Sequence, residues 1–205
     1  MLVRLFLGFF VLFMPITLFS AGKPVIMLDP GHGGKDEGAK IRSLIEKQMT
    51  LRTSYLAKKH LEALGYRVIL TRARDLYLPL GTRVTRANRR PSSLFVSIHF
   101  NSAAAIEAKG IEVYYFGKSV QKRRVASQKM GKAILDAMVK ETGARSRGVR
   151  RGNFQVIRET TMPAVLIEAG FITNAEERKL LSTQTYLDKL AKGIASGVHK
   201  YIQSK

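Results

Sequence analysis

The segment Val25-Ile26-Met27-Leu28-Asp29-Pro30-Gly31-His32-Gly33-Gly34 constrains the fold more than any other part of the chain. An apolar run this short has the length of a buried strand. It stops at an acid, a proline and three glycines, which together form a turn with little side-chain bulk. A histidine sits inside that turn, where backbone can approach a ligand closely. Ligands of open α/β sheets gather beyond the carboxyl ends of the strands. The segment therefore predicts a core strand, Pro24 to Leu28, that delivers His32 to such an edge.

The remaining patterns supply that strand with partners. A loop rich in glycine and charge follows it. Glu46 to Leu64 then carries Met49, Leu56, Ala57, Leu61 and Leu64 near one helical face, with Gly65 placed to end the helix. Tyr66 to Thr71 alternates like a strand and completes a βαβ unit. Further along, the spacing predicts a basic helix over Leu80–Arg90 and strands over Leu94–Ile98 and Gly110–Phe116. A helix follows over Val120–Thr142, then a loop over Gly143–Gly152. A short strand is expected over Phe154–Ile157 and a longer one over Pro163–Ile167. Helices over Asn174–Leu181 and Thr183–Gln203 close the chain, the second packing across the sheet. This alternation predicts an α/β three-layer domain whose sheet need not be purely parallel.

Charge narrows the partners. With 35 Lys and Arg against 15 Asp and Glu in 205 residues, the net charge is +20, which calls for anionic partners. A nucleic-acid reader would need an aromatic-studded basic face or a groove helix, and neither motif is present. The chain has no cysteine, so disulfides and thiolate metal sites are excluded. After Arg4, Leu5 to Phe19 is almost wholly apolar. Residues 1–21 read as a secretory signal peptide, or as a membrane anchor if uncleaved. Residues 23–205 are left as one domain, with its basic surface facing the periplasm or cell wall.

The chemistry gathers where apolar runs meet polar residues. Three predicted strands end at His32, His99 and Glu168, and Glu46 opens the first helix. Two imidazoles and a carboxylate can hold zinc and leave a fourth position for water. Such an ion polarises a carbonyl and acidifies water, while a second carboxylate can move the proton to a leaving amine. Each residue also has a structural alternative. A histidine at a strand end is often a satisfied polar group, and an acid at a helix N-terminus is favourable in itself. Glu168 is harder to explain that way, because Val165-Leu166-Ile167-Glu168-Ala169-Gly170-Phe171 places a carboxylate inside an apolar run. A buried charge wants a cation or a raised pKa. His60, mid-helix, and His199, near the C-terminus, are expected to be structural or solvated.

Five blocks coincide in order with one family. They are Leu28-Asp29-Pro30-Gly31-His32-Gly33-Gly34-Lys35-Asp36-Glu37-Gly38-Ala39, Glu46-Lys47, Thr71-Arg72, Phe95-Val96-Ser97-Ile98-His99-Phe100-Asn101-Ser102, and Pro163-Ala164-Val165-Leu166-Ile167-Glu168-Ala169-Gly170-Phe171-Ile172-Thr173-Asn174. From about Lys23 onward the chain resembles the zinc-dependent N-acetylmuramoyl-L-alanine amidases, the AmiC-like group. The resemblance implies a mixed six-stranded sheet flanked by helices. It implies one zinc ion per chain held by His32, Glu46 and His99, with Glu168 as catalytic acid and base. It implies peptidoglycan as substrate, cut between N-acetylmuramic acid and L-alanine, in wall remodelling or daughter-cell separation. Asn101 and Arg158 are candidates to contact that substrate. Anionic wall polymers, held by the Arg-rich segment Arg145 to Arg151, or an activator protein are candidate further partners. Ser93 stands where the family usually has an acid. The short connection after Phe116 leaves no room for the inhibitory helix that some relatives carry there. The alternative function is a non-catalytic peptidoglycan-binding protein of the same fold, which would need a lost ligand or a lost Glu168. Neither is missing.

Overall fold

A computed structural model describes residues 24–89 and 94–205; the expected export segment at residues 1–21 and Ser93 lie outside the described residues. In chain order the elements are β1 (Val25–Pro30), β2 (Lys40–Ile41), β3 (Leu44–Ile45), α1 (Glu46–Ala63), β4 (Arg67–Leu70), α2 (Leu80–Arg89) and β5 (Leu94–Asn101). Then come β6 (Ile111–Tyr115), α3 (Gln121–Thr142), β7 (Ser146–Arg151), α4 (Gln155–Arg158), β8 (Ala164–Phe171), α5 (Ala175–Leu181) and α6 (Gln184–Gln203).

Six strands form one sheet in the order β4-β1-β5-β8-β6-β7, and β2 pairs only with β3. Strands β4, β1, β5 and β8 run parallel. Strand β6 is antiparallel to β8 and parallel to β7, so the sheet is mixed, as expected. This reversal positions the site. The first residues of β6 and β7 lie at the same edge of the sheet as the last residues of β1, β5 and β8.

Strand alternation divides the interior into two layers. Ile26, Leu28, Leu94, Val96, Ile98, Val165 and Ile167 face one side, where they meet buried residues of α1, α3 and α6. Met27, Phe95, Ala164 and Leu166 face the other, against Ala87 of α2 and Val156 and Ile157 of α4. Helix α6 packs on both α1 and α3. Among the described residues no helix is long and apolar enough to cross a membrane.

Two expected elements differ. The segment read as a loop over Gly143–Gly152 contains β7, the outer strand of the sheet. Its arginines hid the strand, because an edge strand can be defended by charge and needs little apolar alternation; Val149 alone packs against the main core. The segment read as a strand at Phe154–Ile157 is the single-turn helix α4. An apolar run of that length carries no periodicity to separate strand from helix, and both Val156 and Ile157 are buried. Strands β5 and β8 also run on past His99 and Glu168, to Asn101 and Phe171.

Helices α3 and α6 approach closely. A Cβ on Gly197 would lie 2.4 Å from the Ile134 Cα and 2.7 Å from the Ala133 carbonyl oxygen. Helix α2 offers the opposite case, since nothing lies within 4 Å of a Cβ built on Gly81. We expect Gly197→Ala to destabilise the fold by about 1–3 kcal/mol, through overpacking. Gly81→Ala should stabilise it by up to about 1 kcal/mol, through helix propensity. Urea unfolding midpoints of the two variants check the pair, and a stabilised Gly197→Ala would refute the close approach.

Candidate metal centre and active site

The site is built on the turn that follows β1. Two buried arginines hold this turn by its backbone. Arg72 donates from Nε to the Pro30 carbonyl at 3.0 Å and from Nη2 to the Gly31 carbonyl at 2.7 Å. It also reaches the Lys47 carbonyl and the Thr50 hydroxyl on α1. Arg83, on α2, donates to the carbonyls of Pro30 at 2.6 Å and His32 at 2.5 Å. The same guanidinium pairs with Asp29 at 2.9 Å. Asp29 also accepts from the Thr71 and Ser97 hydroxyls, which satisfies an otherwise costly buried carboxylate. Burial, then the like charge of Arg83, pushes the Arg72 pKa down to about 10, still charged at neutral pH. So held, His32 adopts the left-handed conformation, with φ +58°, which non-glycine residues rarely enter.

Three donor atoms converge there. His32 Nε2 and His99 Nδ1 each lie 3.0 Å from Glu46 Oε1 and 3.2 Å from one another. Four tetrahedral ligands at ~2.0–2.1 Å from an ion stand about 3.3 Å apart, so this triangle has nearly the edges that a shared ion requires. Three lone-pair atoms packed this closely repel unless a proton or cation lies among them. His32, Glu46 and His99 could therefore hold a metal ion. The imidazole rings cross at 78° with centroids 4.9 Å apart.

Outer contacts fix each donor. The other nitrogen of His32, Nδ1, meets Asp36 Oδ1 at 2.9 Å, the carboxylate–histidine arrangement that orients metal ligands. The second Glu46 oxygen accepts from the Ala39 amide at 2.8 Å, and the first also accepts from the Phe100 amide at 3.1 Å. His99 stacks directly against backbone at Gly31. A Cβ there would sit 2.3 Å from the His99 ring, so any larger residue would displace the imidazole. Burial opposes ionisation of Glu46, but its hydrogen bonds to His32 and His99 outweigh that and hold its pKa far below the usual carboxylate range. Burial also opposes charge on His32, yet Glu46 and Asp36 raise its pKa above the ordinary value.

Glu168 lies directly beside His99 in the β5–β8 register. Its Oε2 is buried without a hydrogen-bond partner among the described residues. Burial, then the negative charges of Glu46 and Glu112, drive its pKa well above normal. Sequence reasoning missed Glu112, which sits across from Glu168 on β6. It is 2% exposed and accepts from Asn101 Nδ2, the Tyr114 hydroxyl and Arg147 Nε. The alternation Ile111-Glu112-Val113, an acid between two core residues, was its available signal. Asn101 thus turns toward Glu112. Arg158, on α4, bonds to Asn153 and Glu159, apart from the converging donors. His60 meets Asp188 and His199 meets Tyr66, both structural contacts.

Residues 26–200 match the family model described as N-acetylmuramoyl-L-alanine amidase. The chain belongs to this amidase family. It is 34% identical to the N-acetylmuramoyl-L-alanine amidase AmiC of Neisseria meningitidis, over 89% of this chain and 53% of that protein. It therefore spans about half the length of that relative. It is also 34% identical to the germination-specific N-acetylmuramoyl-L-alanine amidase of Bacillus subtilis, over 93% of this chain and 84% of that one. Among solved structures, the catalytic domain of the amidase CwlV from Bacillus (Paenibacillus) polymyxa matches with TM-score 0.81 and 38% identity, covering 89% of this chain and 99% of that domain. The CwlD amidase of Clostridioides difficile, solved in complex with the GerS lipoprotein, matches with TM-score 0.84 and 29% identity, covering 89% and 100%.

Two outcomes are expected of this amidase-family site. A metal entering the triangle must displace the proton that Glu46 and Asp36 favour on His32. Above the raised His32 pKa there is no competition. Below it, affinity for a divalent ion should fall up to about tenfold per pH unit. Calorimetric titration from pH 8 to 5 measures this, and a flat profile would exclude His32 as a ligand. Arg83→Ala strands Asp29 as an uncompensated buried charge, so unfolding should show a loss of about 3–5 kcal/mol.

Proposed function

We propose that this chain is a zinc-dependent N-acetylmuramoyl-L-alanine amidase. It hydrolyses the amide between the lactyl carbonyl of N-acetylmuramic acid and the L-alanine of the stem peptide. One juxtaposition carries the reading: a three-donor triangle with, one strand away, a half-buried carboxylate whose Oε2 is enclosed and unpartnered among the described residues. Family membership supports the substrate.

His32, Glu46 and His99 would hold the ion, since two imidazoles and a carboxylate with a fourth position free are a catalytic zinc set. When bound, zinc supplies a Lewis acid that polarises the scissile carbonyl, acidifies the attacking water and, by its positive charge, draws Glu168 back toward ionisation. Asp36 keeps the His32 ring turned so that Nε2 faces the site. Glu168 takes a proton from water as its oxygen adds to the carbonyl carbon. It returns that proton to the alanine nitrogen as the carbon–nitrogen bond breaks. The products are a carboxylate on the glycan strand and a free amine on the peptide. Burial, then the charges of Glu46 and Glu112, raise the proton affinity of Glu168, which suits a group that must give the proton back.

Residues 1–21 support export, to the periplasm or cell wall, and membrane association if they are retained. The acidic polymers of an envelope fit the net charge of +20. The lipoprotein bound to the CwlD relative supports a protein activator as a further partner. Wall remodelling, including daughter-cell separation, is the process such cleavage serves. A passive wall-binding module would bind peptidoglycan and release nothing.

Digestion of purified peptidoglycan, with and without chelator, tests the proposal by the appearance of new amino termini. Glu168→Gln should lower release by about 10²–10⁴-fold while keeping its zinc. His99→Ala should lose zinc and activity together. Release that survives both chelation and Glu168→Gln would overturn the assignment.

A further inference from the structure

The row that carries His99 and Glu168 does not stop at β8. Glu112 continues it on β6, and two arginines of β7 converge on that carboxylate. Arg147 Nε donates to Glu112 Oε2 at 3.0 Å, and Arg150 Nε lies 3.5 Å from the same oxygen. Arg150 Nε also donates to the Arg147 carbonyl at 3.1 Å. Glu112 is almost wholly enclosed, with its side chain 3% exposed, whereas the Arg147 and Arg150 side chains are 24% and 49% exposed. The Arg147 guanidinium also lies 4.8 Å from the centre of the Phe171 ring, at the carboxyl end of β8. That is the edge of the sheet at which the metal triangle stands.

This arrangement leaves a free fork on each arginine. One buried carboxylate, Glu112, faces two guanidiniums, and Arg147 also feels the charge of Glu177. Arg147 spends its Nε on Glu112, and Arg150 spends its Nε on the Arg147 carbonyl beside that carboxylate, which fixes both side chains. Among the described residues the terminal nitrogens of both remain available, and a guanidinium binds carboxylates best through paired nitrogens in one plane. A surface arginine without such a brace would lose rotamer entropy on binding. Braced by Glu112, these two lose less.

We propose that Arg147 and Arg150 form a carboxylate-binding subsite that selects stem peptides bearing a free carboxylate close to the scissile amide. From β8 to β7 is two strand spacings, about 10 Å. An extended peptide advances ~3.5 Å per residue, and the arginine side chains lean back toward Glu112. The carboxylate engaged is therefore that of the residue one or two positions beyond the alanine. This inference rests on the amidase reading for its substrate, but the subsite itself is made of residues outside the metal centre.

The test uses two muramoyl peptides, one with a free carboxylate at that position and one amidated there. The full, zinc-loaded chain is expected to prefer the acid by about tenfold in kcat/KM, through KM rather than kcat. Arg147→Gln and Arg150→Gln should each shrink that preference to about twofold or less. Lys132→Gln, which removes a charge from α3 on the other face of the sheet, should leave the preference intact. Binding is read separately by calorimetry on the Glu168→Gln chain, where the same discrimination should appear without turnover. Equal binding of acid and amide there, or full preference retained in both arginine variants, would overturn the subsite. Absence of cleavage of either peptide by the unaltered chain would count against the amidase reading instead.

Discussion

The contact on which the site depends is a guanidinium grip on backbone. Arg72 comes from the segment after β4 and Arg83 from helix α2, and between them they close on the carbonyls of Pro30, Gly31 and His32. A turn rich in glycine has no side chains of its own to hold it and loses much conformational entropy on ordering. The two arginines offset that with charge-assisted hydrogen bonds in a buried setting. They also fix the strained φ of His32, without which Nε2 would not meet Glu46. Asp29 is the counterion that lets one of these charges stay buried.

From that grip the rest follows by sheet geometry. Strand β5 lies beside β1, so His99 comes to the His32 turn, stacked where Gly31 has no side chain. Strand β8 lies beside β5, so Glu168 stands next to His99. Helix α1 begins at Glu46, whose charge favours the helix N-terminus and at the same time completes the donor triangle. One residue thus serves local helix stability and the metal site together, so the sequence alone could not separate the two roles.

The chain was legible where period and chemistry agree. The strands around His32, His99 and Glu168 showed as apolar runs interrupted by polar residues, and helices α1, α3 and α6 showed by their spacing. Segment β7 was illegible because its arginines serve a charged edge and not a core. Segment α4 was illegible because one turn of helix carries no period. The partners of Glu168 were hidden for a different reason. Strand pairing between β8 and β6, and the convergence of Arg147 and Arg150 on Glu112, are long-range facts that no local pattern records. That Glu168 wants a cation or a raised pKa, by contrast, was foreseeable from its apolar neighbours.

The reversal of β6 and β7 within the sheet has a further consequence. Their starts sit at the chemical edge, so their ends, at Tyr115 and Arg151, fall at the opposite pole of the molecule. The turns that leave those ends, around Gly117 and Asn153, lie away from the groups that handle a proton, so a segment inserted there reaches the site only by folding back over the sheet. That pole offers a fusion joint for anyone who wishes to tether the domain to a surface.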